Sequence, residues 1–248
     1  MSLPLKIIPS KESIIAQLQR DILQLQPFTK KRNQRALNIL PSVIENAFPN
    51  GELPLGAVHE FICNGLEDTA ATGGFISGIL SSIMQSGGAS IWISSSRIIF
   101  PPALASFGIQ PDKIIFIELK REKEILWAME EALKCDTLSA VIAEVKELSF
   151  TNSRRLQLAV EQSRVTGFII RNNPRSLNTT ACVTRWKITS LPGEQHDMPG
   201  VGFPKWNVEL LKVRNGKPGS WEVAFSGRTL RHISKVGAIA SEQKKRTG

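Results

Sequence analysis

Residues 53–85 read "LPLGAVHEFICNGLEDTAATGGFISGILSSIMQ", and the reading of this stretch decides the fold. Residues 57–62 are a short apolar run with β-branched members, suited to a buried strand. Residues 64–74 carry Gly65, Gly73 and Gly74 and read as a loop, after which Phe75, Ile79 and Ile83 recur at helical spacing. Strand, glycine-containing loop and helix are the parts of a phosphate-binding loop, where backbone N–H groups and a helix N-terminus receive the anion. Its chemistry also needs a lysine on the β- and γ-phosphates and a Ser or Thr on Mg²⁺. Here Thr72 is followed by Gly73-Gly74-Phe75 in place of Gly-Lys-Ser/Thr, and Glu67 and Asp68 put negative charge where a triphosphate would lie. The expected site keeps the outline of a nucleotide loop and lacks its reacting groups.

Downstream, strand and helix patterns alternate. Strands are expected at 90–94, 113–119, 138–145 and 167–171, and helices at 101–107, 122–134 and 152–164. Ile125, Leu126, Met129 and Leu133 form the inward face of the second of these helices, and Leu156, Leu158, Ala159 and Val160 that of the third. Such alternation predicts an α/β fold with a largely parallel sheet flanked by helices. After Pro174 the pattern changes to strands without helices, at 181–188, 206–213 and 220–225. Asn215-Gly216 between the last two is a hairpin signal, so an antiparallel C-terminal hairpin extends the sheet.

Upstream, residues 10–26 read as an amphipathic helix with Ser10 as N-cap and Ile14, Leu18, Ile22 and Leu25 on one stripe. A helix of that length is marginal alone, so its stripe packs on the chain's own core or on a partner. Lys30, Lys31, Arg32 and Arg35 follow, and the turn Pro49-Asn50-Gly51 marks a boundary. The expected organisation is an N-terminal helix and basic linker at 1–50, a core at 51–226 and a basic, partly disordered tail at 227–248.

The placement of charge matters more than the net +9. Residues 1–50 carry seven Lys/Arg against three Asp/Glu, residues 227–248 six against one, and residues 51–226 hold 18 of each. The core therefore gives no electrostatic reason to seek nucleic acid, whereas both ends do, the alternative being that they are solvated tails that aid solubility. No apolar run approaches the ~20 residues of a membrane span, and no secretory signal opens the chain, so a cytoplasmic location and no membrane partner are expected. The three cysteines form no CxxC pair and read as buried reduced thiols, with no metal site and no cofactor expected.

Few residues suggest chemistry. His59, His196 and His232 do not cluster with acids or thiols, and His59 reads as a satisfied core histidine. Ser94-Ser95-Ser96 ends a strand with no base beside it. Glu144 ends an apolar strand, the position from which a P-loop protein turns a carboxylate toward Mg²⁺, but it stands there without the lysine and threonine. Catalytic residues are accordingly not assigned. Most of the five tryptophans read as core. Arg171 and Arg175, just after a strand in "RNNPRSLNTT", are candidate phosphate-backbone or partner contacts.

In order, "NGELPLGAVHEF", the glycine-containing loop, "ISGILSSIMQSGGASIWI", "SFGIQPDKIIFI", "ALKCDTLSAVIAEV", "RRLQLAVEQSRVTGFIIRNNP" and "WNVELLKVRNGKPGSWEVAF" resemble the RecA core, and within it the ImuA family of accessory proteins in bacterial damage-induced mutagenesis. The likeness covers residues 48–226 and extends more distantly to the SulA division inhibitors. It makes Gly65, Thr72, Gly73, Gly74 and Glu144 the positions of a degenerate nucleotide site: 65–74 answers to the Walker A segment, and Glu144 to the Walker B carboxylate. The activating glutamate of RecA answers to Ser95-Ser96 and its nucleotide-sensing Gln to Arg171-Asn172, while its DNA-binding loops answer to the shorter 148–152 and 173–180. The helix bearing Ile14, Leu18 and Ile22 matches the segment by which RecA reaches its neighbour. The resemblance thus implies a non-catalytic adaptor in SOS-linked translesion synthesis, partnered by an ImuB-type polymerase-like protein, RecA and a mutagenic replicative-type polymerase. Sequence-independent DNA or partner contact would fall to Arg228, Arg231, Lys235, Lys244, Lys245 and Arg246 of the tail. A weak or unconventional ATPase and a SulA-like division inhibitor are the rival expectations.

Overall fold

The computed structural model describes residues 39–96, 101–192 and 204–233, with Gln17 and Ile99 as isolated positions. The chain divides into units Met1–Arg35 and Ala36–Gly248, and apart from Gln17 the described residues belong to the second. The expected helix bearing Ile14, Leu18 and Ile22 and the tail cations Lys235, Lys244, Lys245 and Arg246 lie outside the described residues.

Among the described residues a single sheet carries nine strands in the order β3-β2-β4-β5-β1-β6-β7-β8-β9. The strands are β1 Val58–Cys63, β2 Ala89–Ser94, β3 Ile114–Glu118, β4 Leu138–Val145, β5 Thr166–Asn172, β6 Thr184–Leu191, β7 Lys205–Val213, β8 Gly219–Ser226 and β9 Thr229–His232. Those from β3 to β6 run parallel, and β6 to β9 form an antiparallel meander. The helices are α1 Ser42–Glu45, α2 Leu66–Ile83, α3 Glu122–Leu133 and α4 Phe150–Ser163. This is an α/β RecA-like fold: a mostly parallel sheet with flanking helices and an antiparallel C-terminal extension. The extension runs one strand further than the hairpin signal reached, since β9 pairs with β8.

The two faces hold two cores. On one, α2 packs across β1 and β6, and Phe61, Phe75, Trp92, Phe168, Trp186 and Trp206 are buried together. Ile39, Leu40, Ile44 and Phe48 join them, so the core starts earlier than the turn at Pro49-Asn50-Gly51 suggests. On the other, α3 and α4 cover Val141, Ala143, Ile169 and Ile93 with Ile125, Met129, Leu133, Leu156 and Val160. β1 lies between β5 and β6, and all six of its residues are buried, which is why it reads as an apolar run broken only by His59 and Glu60. Leu158 departs from the expected inward face of its helix and is 45% exposed, because it lies half a turn from Leu156 and Val160. Trp127 is likewise 62% exposed on α3, opposite the face formed by Ile125 and Met129.

The largest departure from the sequence reading is the 64–74 loop. It does not exist: α2 starts at Leu66, directly after Gly65, and runs unbroken through Gly73 and Gly74. Gly65 makes the reversal from β1 with φ 121°, a conformation that side chains disfavour. Gly74 serves packing. A Cβ there would stand 2.8 Å from Cζ2 of the buried Trp206, so the missing methyl is what lets helix and meander meet. Gly73 has more room, with only Ile99 Cδ1 nearby, at 3.7 Å.

The two neighbours therefore respond in opposite directions to one methyl group. Gly73→Ala is expected to raise stability by roughly 0.5–1 kcal/mol through helix propensity, and Gly74→Ala to lower it by about 1–3 kcal/mol through overpacking against Trp206. Urea midpoints followed by tryptophan fluorescence check both signs, and a stabilised Gly74→Ala would refute the packing role.

Candidate functional site

Ligands of open α/β sheets bind beyond the carboxyl ends of the strands, where the strand order reverses. Here that crevice lies beyond β1, β4 and β5, and it is occupied by the protein's own side chains. Trp92 on β2 donates its indole N–H to Glu144 Oε1 at 2.8 Å. Asn172, at the end of β5, donates Nδ2–H to Glu144 Oε2 at 3.3 Å. Thr69 of α2 lies 3.0 Å from Asn172 Oδ1 and 2.9 Å from Gly65 O, either of which its hydroxyl can reach. Below it, Cys63 donates to Thr72 Oγ1 at 3.2 Å. A continuous polar chain thus runs from α2 across β5 and β4 to β2. Burial pushes the Glu144 carboxyl above its usual range, against the lowering pull of Trp92 and Asn172. Burial likewise pushes the Cys63 thiol up to about 11.

The N-terminus of α2, the part of a nucleotide site that would receive phosphate, already has its anion. Asp68 Oδ2 accepts from the backbone N–H of Asn64 at 3.0 Å, and Glu67 and Asp68 are both in the first turn. No Lys or Arg occurs from Leu66 to Ile83. Gly65 stands at the helix start and Glu144 at a strand end, linked through Thr69 and Asn172, whereas Gly73 and Gly74 lie mid-helix, Gly74 against Trp206, so the five positions are not gathered into one site. They do not form a loop of free N–H groups. Among the described residues no group of three or more His, Cys, Asp or Glu is placed to hold a metal ion.

A second polar assembly, on the sheet face beside α4, was not visible in the sequence. Glu60 of β1 has no exposed surface and accepts from three donors: Arg171 Nη1 at 2.8 Å, Arg185 Nε at 2.8 Å and Thr180 Oγ1 at 2.8 Å. Arg171 continues through Nη2 to Glu147 Oε2 and to Ser176 O, both at 3.1 Å. Glu147 in turn accepts from the backbone N–H of Arg175 at 2.8 Å, which with Arg171 holds its carboxyl below the usual range. Arg171 was expected to reach a phosphate backbone or a partner. It is 0% exposed, and its fork is taken by Glu60 and Glu147, so that expectation is corrected. Arg175, Arg228 and Arg231 are exposed. The signal that would have exposed this network was Glu60 itself, an acid inside an apolar strand, which requires a buried cation.

His59 is a core histidine, as its setting suggested. Its Nε2–H donates to Pro54 O at 2.9 Å, and its Nδ1 accepts from Thr184 Oγ1 at 2.8 Å. Burial lowers it to about 4. Of the cysteines, Cys63 and Cys182 are buried and Cys135 is exposed, which corrects the expectation of three buried thiols.

No family model matches the chain. The chain is similar to proteins named Protein ImuA from two strains of Caulobacter vibrioides, with 34% identity over 191 residues, covering 72% of this chain and 78% of each relative.

Removing one member of a buried ion pair strands the other, so Arg171→Leu is expected to cost about 3–5 kcal/mol in a urea titration. A loss below 1 kcal/mol would show that Glu60 is not held by this pair. Below the ordinary histidine value of 6.5 the unfolded chain protonates His59, which the folded chain resists until about 4. Stability should therefore fall as the pH is lowered through that window, by on the order of 3 kcal/mol in all. His59→Gln should flatten the slope between pH 6.5 and 5, and an unchanged slope would remove His59 as its cause.

Proposed function

The chain belongs to the ImuA family, and on that premise we propose that it is a non-catalytic, RecA-like adaptor in SOS-induced translesion DNA synthesis. In this reading it links an ImuB-type polymerase-like protein and a mutagenic replicative-type polymerase to DNA or to RecA. The observation that carries the reading is the filled crevice. Trp92, Asn172 and Thr69 satisfy the polar groups around Glu144, and Asp68 supplies the anion at the start of α2. A triphosphate arriving there would meet acids and no lysine, a repulsive setting for phosphoryl transfer. The sheet remains as a scaffold, and what it offers partners is surface: Trp127 on α3, 62% exposed, Leu66 at the start of α2, 77% exposed, and the cations Arg228 and Arg231 around β9. Among the described residues no helix is long and apolar enough to cross a membrane.

Affinity capture with the tagged full-length chain from DNA-damaged cells tests the adaptor reading. Recovery of an ImuB-type protein or RecA, weakened by Trp127→Ala or by loss of residues 227–248, is the expected result. Recovery of a division protein without either of them would replace this reading with a SulA-like inhibitor.

A further inference from the structure

The core of the chain is neutral in sum, with 18 basic and 18 acidic residues from 51 to 226, but its cations are not spread evenly. Arg185 and Lys212 stand directly opposite each other on β6 and β7, an arrangement in which like charges repel. Arg214 follows, its backbone N–H bound to Val183 O at 2.9 Å. All three side chains hold carbonyls of the segment that crosses from β5 to β6. Arg185 Nη2 donates to Asn178 O at 2.6 Å, Lys212 Nζ to Thr180 O at 2.8 Å and Arg214 Nη2 to Ala181 O at 3.0 Å. Carbonyl dipoles solvate a cation without neutralising it. Among the described residues the ion pairs of this network join Glu60 to Arg171 and Arg185, and Glu147 to Arg171, while Lys212 and Arg214 are held by carbonyls. Two cations, Lys212 and Arg214, thus have no carboxylate within ion-pair distance among the described residues. Burial first, then Arg185 and, more weakly, Arg214, hold the Lys212 ammonium below the usual lysine range.

We propose that Arg185, Lys212 and Arg214 form an anion-binding notch that receives the phosphate backbone of nucleic acid. Lys212 and Arg214 are half-buried rather than enclosed, and each of the three cations keeps N–H donors beyond the bonds described. An arriving phosphate would neutralise a charge that the fold leaves unmatched. The exposed Arg175 lies on the same crossing segment. A polyanion fits better than a solitary anion, because the two ends of the sequence, 1–50 and 227–248, are themselves basic. A strand with a charge about every 3.4 Å presents several phosphates to such cations at once. The site is separate from the tail to which the adaptor reading gives DNA contact, and it does not depend on that reading.

The test is fluorescence anisotropy of a labelled 20-nucleotide oligothymidylate with the full-length chain, between 25 and 200 mM salt. Lys212→Gln with Arg214→Gln should weaken binding at least about fivefold at low salt and flatten the log–log salt slope by about 1.4, or 0.7 per lost phosphate contact. Lys212→Arg with Arg214→Lys should restore both. If the double Gln variant fails to fold, as judged by its urea transition, single Arg214→Gln is read instead, with a slope change of about 0.7. Unchanged affinity and slope in a folded variant would overturn the proposal, as would no binding by the native chain at 25 mM salt. Loss of polyglutamate binding alone would also overturn it, in favour of an acidic protein partner.

Discussion

An ionised carboxylate with no access to water persists only if charge and hydrogen bonds replace what water supplied. Glu60 is such a group, and much of the molecule is arranged around satisfying it. It lies on β1, between β5 and β6, and its three donors come from β5, from β6 and from the segment that joins them. One side chain thereby ties the parallel half of the sheet to the antiparallel half and fixes the path of residues 173–183 over the face beside α4. The same demand explains why Arg171, which follows the apolar Phe168–Ile170 of β5, points inward.

The crevice on the other side of β1 obeys the same rule with weaker partners. Glu144 has no cation. It accepts from an indole and an amide, and burial raises its carboxyl accordingly. In a working nucleotide site the corresponding groups would wait for ligand. Here they are bonded to one another, and α2 begins early enough to remove the loop that would cradle phosphate. On the proposed reading, the fold has kept the layout of a nucleotide-binding sheet while its polar residues hold the sheet together. Interactions with partners then pass to the surface, to exposed side chains such as Trp127 and to cations that the core does not neutralise.

The alternation of strands and helices and the hairpin at Asn215-Gly216 were legible because both rest on local spacing, and Asn215 does adopt a left-handed φ of 58°. The helical path of 66–74 was not. Adjacent glycines locally favour a loop, and only the distant Trp206 shows that the space they leave is filled. The strand order was also beyond local reading, as was the Glu60 network, whose arginines lie 111 and 125 residues away in sequence. Of the candidate site, the acid at Glu144 and the missing lysine could be read from the chain; the bonds that close the crevice required the fold.

The central claim is that this crevice is closed by the protein's own side chains, and thermal unfolding of the full-length chain with and without millimolar Mg-ATP tests it most directly. A nucleotide present at 100 times its dissociation constant would stabilise the native state by about 2.7 kcal/mol, a shift of several degrees. The account predicts no saturable shift. A saturable rise in Tm that Glu144→Gln abolishes would contradict it.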